Sequence, residues 1–244
     1  MLHLVKSEVK KMRRTGVFIA GMGIMTLSPL LSVLQYSSLT EPLKNMGFST
    51  ILNSVIWYNM SLFLPITLTF LGGYIINKEY VCDTLKNLKT IPLRYGEILS
   101  AKLITLLLFD IILCAYSFLM TFLLAAAFYP ERGQGNLLLE FGKVIVMGIC
   151  IYIAIMPIIV WSGGKKNRYF AGTIIAFVYG LLGIPMAGRG ANNYYPITAG
   201  LSIIRYEGDL GNSSASYSIG IAIISLVLML CLSIIIMRLH REND

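Results

Sequence analysis

Four polar residues within one long apolar run are spaced so that they share one face of a helix. Asp110, Cys114, Ser117 and Thr121 follow at i, i+4, i+7 and i+11. An acid facing lipid costs about 2.5 to 3.5 kcal/mol on the insertion scale, so this stripe must face protein or water. Such an acid can bind a cationic group, exchange a proton or accept a hydrogen bond from a Tyr or Ser hydroxyl. Substrate contact and helix packing are therefore both open for the stripe.

The remaining residues that commonly perform catalysis do not form a recognisable enzyme site. His3 and His240 lie at opposite ends of the chain, which excludes an intramembrane Ser-His pair and an H-E-x-x-H metal site. Asp110 is the single acid within an apolar run, whereas an aspartyl protease needs two. Residues 163–166 read Gly-Gly-Lys-Lys and do not make a nucleotide-binding P-loop. We predict that the chain is not an enzyme and binds no cofactor itself.

The composition is that of an integral membrane protein. The 244 residues are 56% hydrophobic and 13% charged, with a mean hydropathy of +0.73, which does not suit a soluble surface. Neither a disulfide framework nor a zinc site is indicated, because the four cysteines form no C-x-x-C pair; they are Cys82, Cys114, Cys150 and Cys231.

Long intervals with few or no charges predict six transmembrane helices, because a helix needs about 20 apolar residues to cross a bilayer. The fold class is therefore all-α, and residues 1–244 form one transmembrane domain. The predicted spans are 16–36, 55–76, 98–128, 144–161, 170–186 and 217–237.

The distribution of Lys and Arg predicts the orientation of these spans. The segments at both chain ends, the loop after the second span and the loop after the fourth together hold 15 of the 20 basic residues. Positively charged loops stay in the cytoplasm, so both termini are predicted to be cytoplasmic. Topology and the anionic inner leaflet then explain the net charge of +8, and nucleic acid is not expected as a partner.

Residues 1–15 combine helically spaced apolar residues with a cluster of Lys and Arg. Leu2, Val5, Val9 and Met12 repeat at helical spacing. The pattern predicts an amphipathic helix lying in the cytoplasmic membrane interface, and a simple positive anchor for the first span is the alternative.

The cytoplasmic loop 77–97 is too long for a simple connector. Leu85, Leu88 and Ile91 are spaced three residues apart, and Pro92 would end a short helix carrying them. Such a helix would lie across the base of the bundle, where another protein could bind it.

This loop resembles the signature of the type-2 family of ATP-binding-cassette (ABC) permeases. Those chains carry a Glu, a Gly-Thr-Leu step, a Leu-rich turn, a Thr-x-Pro stop and a Lys that opens the third span. The matching residues here are Glu79, Thr84, Leu85, Leu88, Thr90, Ile91, Pro92 and Lys102. Asp83 stands where Gly is usual, and Asp is an acceptable helix N-cap. The motif covers about a tenth of the chain, and the six spans extend the agreement along its length.

The resemblance implies a permease subunit that pairs with a second permease chain, identical or paralogous, and with two ABC ATPase subunits that bind the ATP and Mg. Glu79, Asp83, Thr84, Leu85, Leu88 and Pro92 would then couple the spans to the ATPase. Asp110, Ser117 and Thr121 become a candidate translocation path. The chain is also similar to permeases of Gram-positive bacteria for lantibiotic immunity or bacitracin resistance, which implies the plasma membrane and a peptide or other amphipathic substrate.

Two further segments carry structural expectations. Gly172, Ala176 and Gly180 recur every four residues and predict close helix packing, within the chain or across a permease dimer. Residues 197–204 are apolar but too short to span, which predicts a re-entrant or interfacial helix before the sixth span.

A non-transporting membrane protein, such as an assembly factor or scaffold, is the alternative to an exporter permease. A permease for another hydrophobic drug or lipid is the alternative within the transporter class.

Overall fold

A computed structural model describes residues 2–13, 16–37, 48–81, 95–128, 136–164, 168–188, 191–206 and 217–242. Every regular element in these ranges is helical. The helices are α1 (Leu2–Arg13), α2 (Val17–Ser37), α3 (Phe48–Tyr58), a π-helical turn (Asn59–Phe63), α4 (Leu64–Val81), α5 (Tyr95–Phe128), α6 (Leu137–Gly163), α7 (Tyr169–Gly188), α8 (Pro196–Ile203) and α9 (Ile219–Glu242).

Six helices are long and apolar enough to cross a membrane, which confirms the all-α fold and the number of spans. They are α2, the continuous helix from α3 through the π-helical turn to α4, α5, α6, α7 and α9. The second span is central, because 78% of its most apolar window is buried, against 22% for the sixth. The exposed apolar side chains of the outer helices suit contact with lipid tails.

The helices extend beyond several of the predicted spans. The charge pattern predicts the fourth span over 144–161, but α6 begins at Leu137. Its first turn contains Glu140, which pairs with Lys143 across 3.0 Å, and Oδ1 of Asn136 accepts from the amide of Leu139. A capped first turn with an i,i+3 ion pair can extend a helix N-terminally beyond its apolar segment. These two charged residues therefore do not mark where α6 begins. In the same way, α3 begins before residue 55.

The predicted N-terminal helix is present as α1, which packs against α5 and α2. Its buried residues are Glu8 and Met12, whereas Val9 is exposed and does not lie on the buried face of the helix. Lys11 forms an ion pair with Glu8. Gly16 then turns the chain towards α2 with a φ of 65°, a conformation that favours glycine.

The short helix before the sixth span is present as α8, and it is enclosed by other helices. Residues Ile197 to Ser202 are all buried, and α8 packs against α6, α7 and α9. Gly200 allows this contact, because a Cβ there would lie 2.5 Å from Sδ of Met147 on α6. The helix thus fills space between three spans.

Tyrosine hydroxyls connect the segments around α8 to the spans. Tyr206 donates to the carbonyl of Asn53 on α3 over 3.0 Å, and Tyr217 donates to the carbonyl of Tyr206 over 2.7 Å. Tyr195 donates to the carbonyl of Tyr179 on α7 over 2.7 Å. Burial raises the pKa of Tyr195 well above its ordinary value, so its hydroxyl stays protonated and remains a donor.

Candidate functional site

The polar face predicted on the third span is completely enclosed in the bundle. Asp110, Ser117 and Thr121 have no exposed surface, and Cys114 is 1% exposed. Sγ of Cys114 donates to Oδ1 of Asp110 over 3.7 Å, and Thr121 donates to the carbonyl of Ser117 over 2.7 Å. The structure therefore brings these four residues together on one buried face of α5.

Asn59 in the π-helical turn joins this face from the second span. Its Nδ2 donates to Oγ of Ser117 over 3.1 Å. A π-helical turn contains one more residue than an α-helical turn and changes which side chains face a neighbouring helix. Asn59, Asp110, Cys114, Ser117 and Thr121 together are called the buried polar stripe below.

Gly148 of α6 covers the stripe from the other side. A Cβ at this position would collide with Sγ of Cys114 and would lie 3.3 Å from both carboxyl oxygens of Asp110. One turn further along α6, Tyr152 donates to the carbonyl of Leu103 on α5 over 2.9 Å. The absence of a side chain at Gly148 thus lets α6 pack directly against the acid.

Two acceptor atoms in the buried polar stripe have no hydrogen-bond partner. They are Oδ2 of Asp110 and Oδ1 of Asn59. Buried polar atoms are usually paired, so these two are the atoms most ready to accept a hydrogen bond from water or a substrate. Access to them requires α5 to separate from α6 or from the second span, because the stripe is closed in this conformation.

The residues predicted to couple the spans to an ATPase lie at and beyond the end of α4. Glu79 is in its last turn, whereas Asp83, Thr84, Leu85, Leu88 and Pro92 lie outside the described residues. A hydrogen bond joins the two helices on either side of the loop between α4 and α5. Lys102 of α5 is 3% exposed, and its Nζ donates to the carbonyl of Ile75 on α4 over 2.8 Å.

The small residues of the fifth span pack within the chain. A Cβ on Gly172 would collide with Ser162 of α6, and Ala176 is fully buried. A Cβ on Gly180 would lie 2.5 Å from the carbonyl oxygen of Ser61 in the π-helical turn. These small residues therefore place α7 against α6 and the second span.

Sequence reasoning found the acidic face of α5 but not the residues that enclose it. Asn59 is the one amide side chain in the predicted second span, 55–76, and Gly148 is one of 22 glycines. A single Asn in a membrane span is a usable signal for an interhelical hydrogen bond. Among the described residues, no group of three or more His, Cys, Asp or Glu could hold a metal ion.

Comparison with known proteins identifies a family and a relative. The sequence profile of a family described as ABC-2 family transporter protein matches residues 4–183. A bacitracin transport permease protein, BCRB, of Bacillus licheniformis is 27% identical over 128 residues, which are 52% of this chain and 61% of that protein. The chain thus aligns with about three fifths of that relative. No solved structure matches. The region matched by the family contains the whole buried polar stripe and both flanks of the loop between α4 and α5.

Proposed function

The chain belongs to the ABC-2 family of transporter proteins, and on this premise we propose that it is the membrane permease of an ATP-driven exporter. Membership of the family makes it the membrane-spanning subunit, and ATP hydrolysis is then the task of separate ABC ATPase subunits. The observation that carries the proposal is the family match over residues 4–183, which includes four of the six spans and most of the fifth.

The proposed assembly contains two permease chains and two ATPase subunits. Residues 77–97, with Glu79, Asp83, Thr84, Leu85, Leu88 and Pro92, would contact the ATPase and transmit its closure to the spans. The bond from Lys102 to the carbonyl of Ile75 supports this role, because it joins the helices on both sides of the loop. A force applied to the loop would then act on α4 and α5 together.

We propose an antimicrobial peptide, lantibiotic or bacitracin-like, as the substrate, and self-immunity or resistance as the result. The support is the similarity to the bacitracin transport permease of Bacillus licheniformis, together with the large apolar surface of the spans. The proposed location is the plasma membrane of a Gram-positive bacterium. Another hydrophobic drug or a lipid is the second candidate substrate.

Asp110, Ser117 and Thr121 are proposed to meet the substrate when the bundle opens. Their neighbour Asn59 adds an unpartnered amide oxygen to the same face. The enclosed stripe would be a contact of an intermediate state, because no substrate could reach it in the described conformation.

The experiment that tests the coupling role compares Leu85→Asp and Leu88→Asp with Asn87→Asp in cells that depend on the transporter for peptide resistance. The three variants add the same charge to the loop, but the two leucines lie on the predicted apolar face. An unpaired carboxylate pressed against the ATPase weakens binding. We expect normal membrane insertion for all three and loss of resistance for the two leucine variants alone.

Equal resistance of all three variants would remove the assigned role of the loop. If wild-type cells resist neither bacitracin nor a lantibiotic while ATPase binding is intact, the proposed peptide substrate is wrong. That result would favour the drug or lipid alternative.

A further inference from the structure

Asp110 is an acid with an unusually poor set of partners. It has no exposed surface and lies near the middle of the 34-residue α5. Its Oδ1 accepts a long bond from the thiol of Cys114, and its Oδ2 has no partner. A thiol is a weak donor, so the described contacts do little to compensate a negative charge.

The groups around Asp110 also provide no positive charge in the described ranges. The titratable groups that face it are Cys114 on α5 and Cys150 and Tyr152 on α6. These groups are neutral at ordinary pH. The spans that pack beside α5 add the weak acids Tyr36 on α2, Tyr58 and Tyr74 in the second span and Cys231 on α9. Charged groups on α5 and α6 have partners elsewhere, because Nζ of Lys102 donates to the carbonyl of Ile75 and Lys143 pairs with Glu140.

An isolated carboxylate in an apolar interior loses its hydration without compensation, whereas a carboxylic acid loses much less. The enclosed geometry thus suits the neutral acid. Gly148 makes the enclosure tight, because any Cβ there would meet Cys114 and the Asp110 oxygens. Water can reach the acid only after α5 has separated from a neighbouring helix, and Gly148 of α6 is the neighbour that lies against the Asp110 oxygens.

We propose that Asp110 is a proton-binding site whose occupancy follows the contact between α5 and α6. The acid holds a proton while it is packed against Gly148, and it ionises when separation of the helices admits water. The proton leaves to water as hydronium, and reclosure takes one proton back from water. The step requires no other reactant.

A quantitative consequence follows for the opening equilibrium. While the closed state holds the proton and the open state is ionised, closure binds one proton. The ratio of closed to open molecules then falls about tenfold for each unit increase in pH. Asp110→Asn cannot ionise, so the same ratio should be independent of pH in this variant.

The infrared spectrum of the purified full-length chain in lipid nanodiscs tests the closed state, without any need for transport. A protonated carboxyl group absorbs at a C=O frequency separate from that of a carboxylate. We expect a carboxylic acid band that disappears in Asp110→Asn and persists in Glu140→Gln, whose native side chain is paired with Lys143. Cys114→Ser should shift the band without removing it, because a hydroxyl replaces the thiol donor.

Absence of an Asp110-dependent acid band at neutral pH would overturn the proposal. The Cys114→Ser shift keeps the test valid if Asp110→Asn folds poorly.

The pH dependence of helix opening is tested by the reaction of the buried Cys114 thiol with a small thiol reagent across a pH series in nanodiscs. The reference for the ordinary pH dependence of thiol reactivity is the cysteine introduced by Lys10→Cys at an exposed position of α1, because Cys231 lies within the sixth span.

The rate at Cys114 relative to that at the cysteine of Lys10→Cys should rise with pH when Asp110 is intact, because ionisation of Asp110 favours the open state. The relative rate should stay constant in Asp110→Asn. The same slope in both chains would also overturn the proposal.

The proposed cycle rests on the chain being a transporter, but these two measurements do not. An Asp110-dependent band and slope, found in a chain that moves no substrate, would support the proton site and contradict the exporter function.

Discussion

Nδ2 of Asn59 donates to Oγ of Ser117 over 3.1 Å and so joins the π-helical turn of the second span to the middle of the third. Both residues are at most 2% exposed, and they are 58 positions apart in the sequence. Polar bonds of this kind between membrane helices have an average coupling of about 0.6 kcal/mol. The bond fixes the face that α5 presents to the second span.

A double-mutant cycle with Asn59→Ala and Ser117→Ala should therefore give a coupling of about 0.6 kcal/mol in the free energy of unfolding. The measurement is unfolding in mixed detergent micelles. Asn59→Ala combined with Ser225→Ala is the matched control, because Ser225 donates within its own helix to Ala222. Equal couplings in the two cycles would contradict the assigned bond.

Gly148→Ala should destabilise the chain by about 1 to 3 kcal/mol, the usual range for overpacking. The added methyl group would meet Sγ of Cys114 and the carboxyl group of Asp110. Gly142→Ala on the same helix is the control, since nothing lies within 4 Å of a Cβ there. Cys114→Ala should recover part of the loss in the Gly148→Ala background. If the two glycine variants unfold alike, the close approach of α5 and α6 is wrong.

The fold was predictable because each span is a long apolar run, and bilayer thickness alone fixes the required length. The acidic face of α5 was also predictable, because its four residues obey helical spacing within one segment. Asn59 and Gly148 were not, since their importance depends on which helices meet. The π-helical turn adds a local change of register that spacing rules for an α-helix do not contain.

The start of α6 shows the limit of reading spans from charges. A charge-based boundary excludes Glu140 and Lys143 from the fourth span, yet they pair within the first turns of the helix. A helix begins where its N-terminal backbone amides are capped, and here Asn136 supplies that cap. An apolar run therefore predicts that a span exists, but not the residue at which its helix begins.

Lys102→Met should reduce the amount of substrate moved per ATP hydrolysed while leaving the amount of inserted chain nearly unchanged. Met keeps much of the apolar stem but removes the Nζ that bonds to Ile75 between α4 and α5. Lys10→Met removes the same charge from an exposed position of α1 and is the control. The measurement is transport and ATP hydrolysis by the reconstituted complex. If the amount of substrate moved per ATP hydrolysed is the same in the two variants, the hydrogen bond from Lys102 to Ile75 has no role in coupling.

The predicted topology places loops 77–97 and 162–169 on the cytoplasmic side. Lys86→Cys and Lys166→Cys should be protected from an impermeant thiol reagent in intact cells, whereas Gln134→Cys and Ser213→Cys should react. The background lacks the four native cysteines, and permeabilised cells provide the control for accessibility. The reverse pattern would overturn the orientation and, with it, contact between the loop and an ATPase.

The most direct test of the central claim is purification of the tagged chain from its own membrane in mild detergent, with quantification of every protein that accompanies it. A permease of the ABC-2 family should retain an ABC ATPase in equal number to the permease chains, and Leu88→Asp should lose that ATPase while Asn87→Asp keeps it. Recovery of the wild-type chain with no nucleotide-binding partner, under conditions that preserve other membrane complexes, would contradict the account.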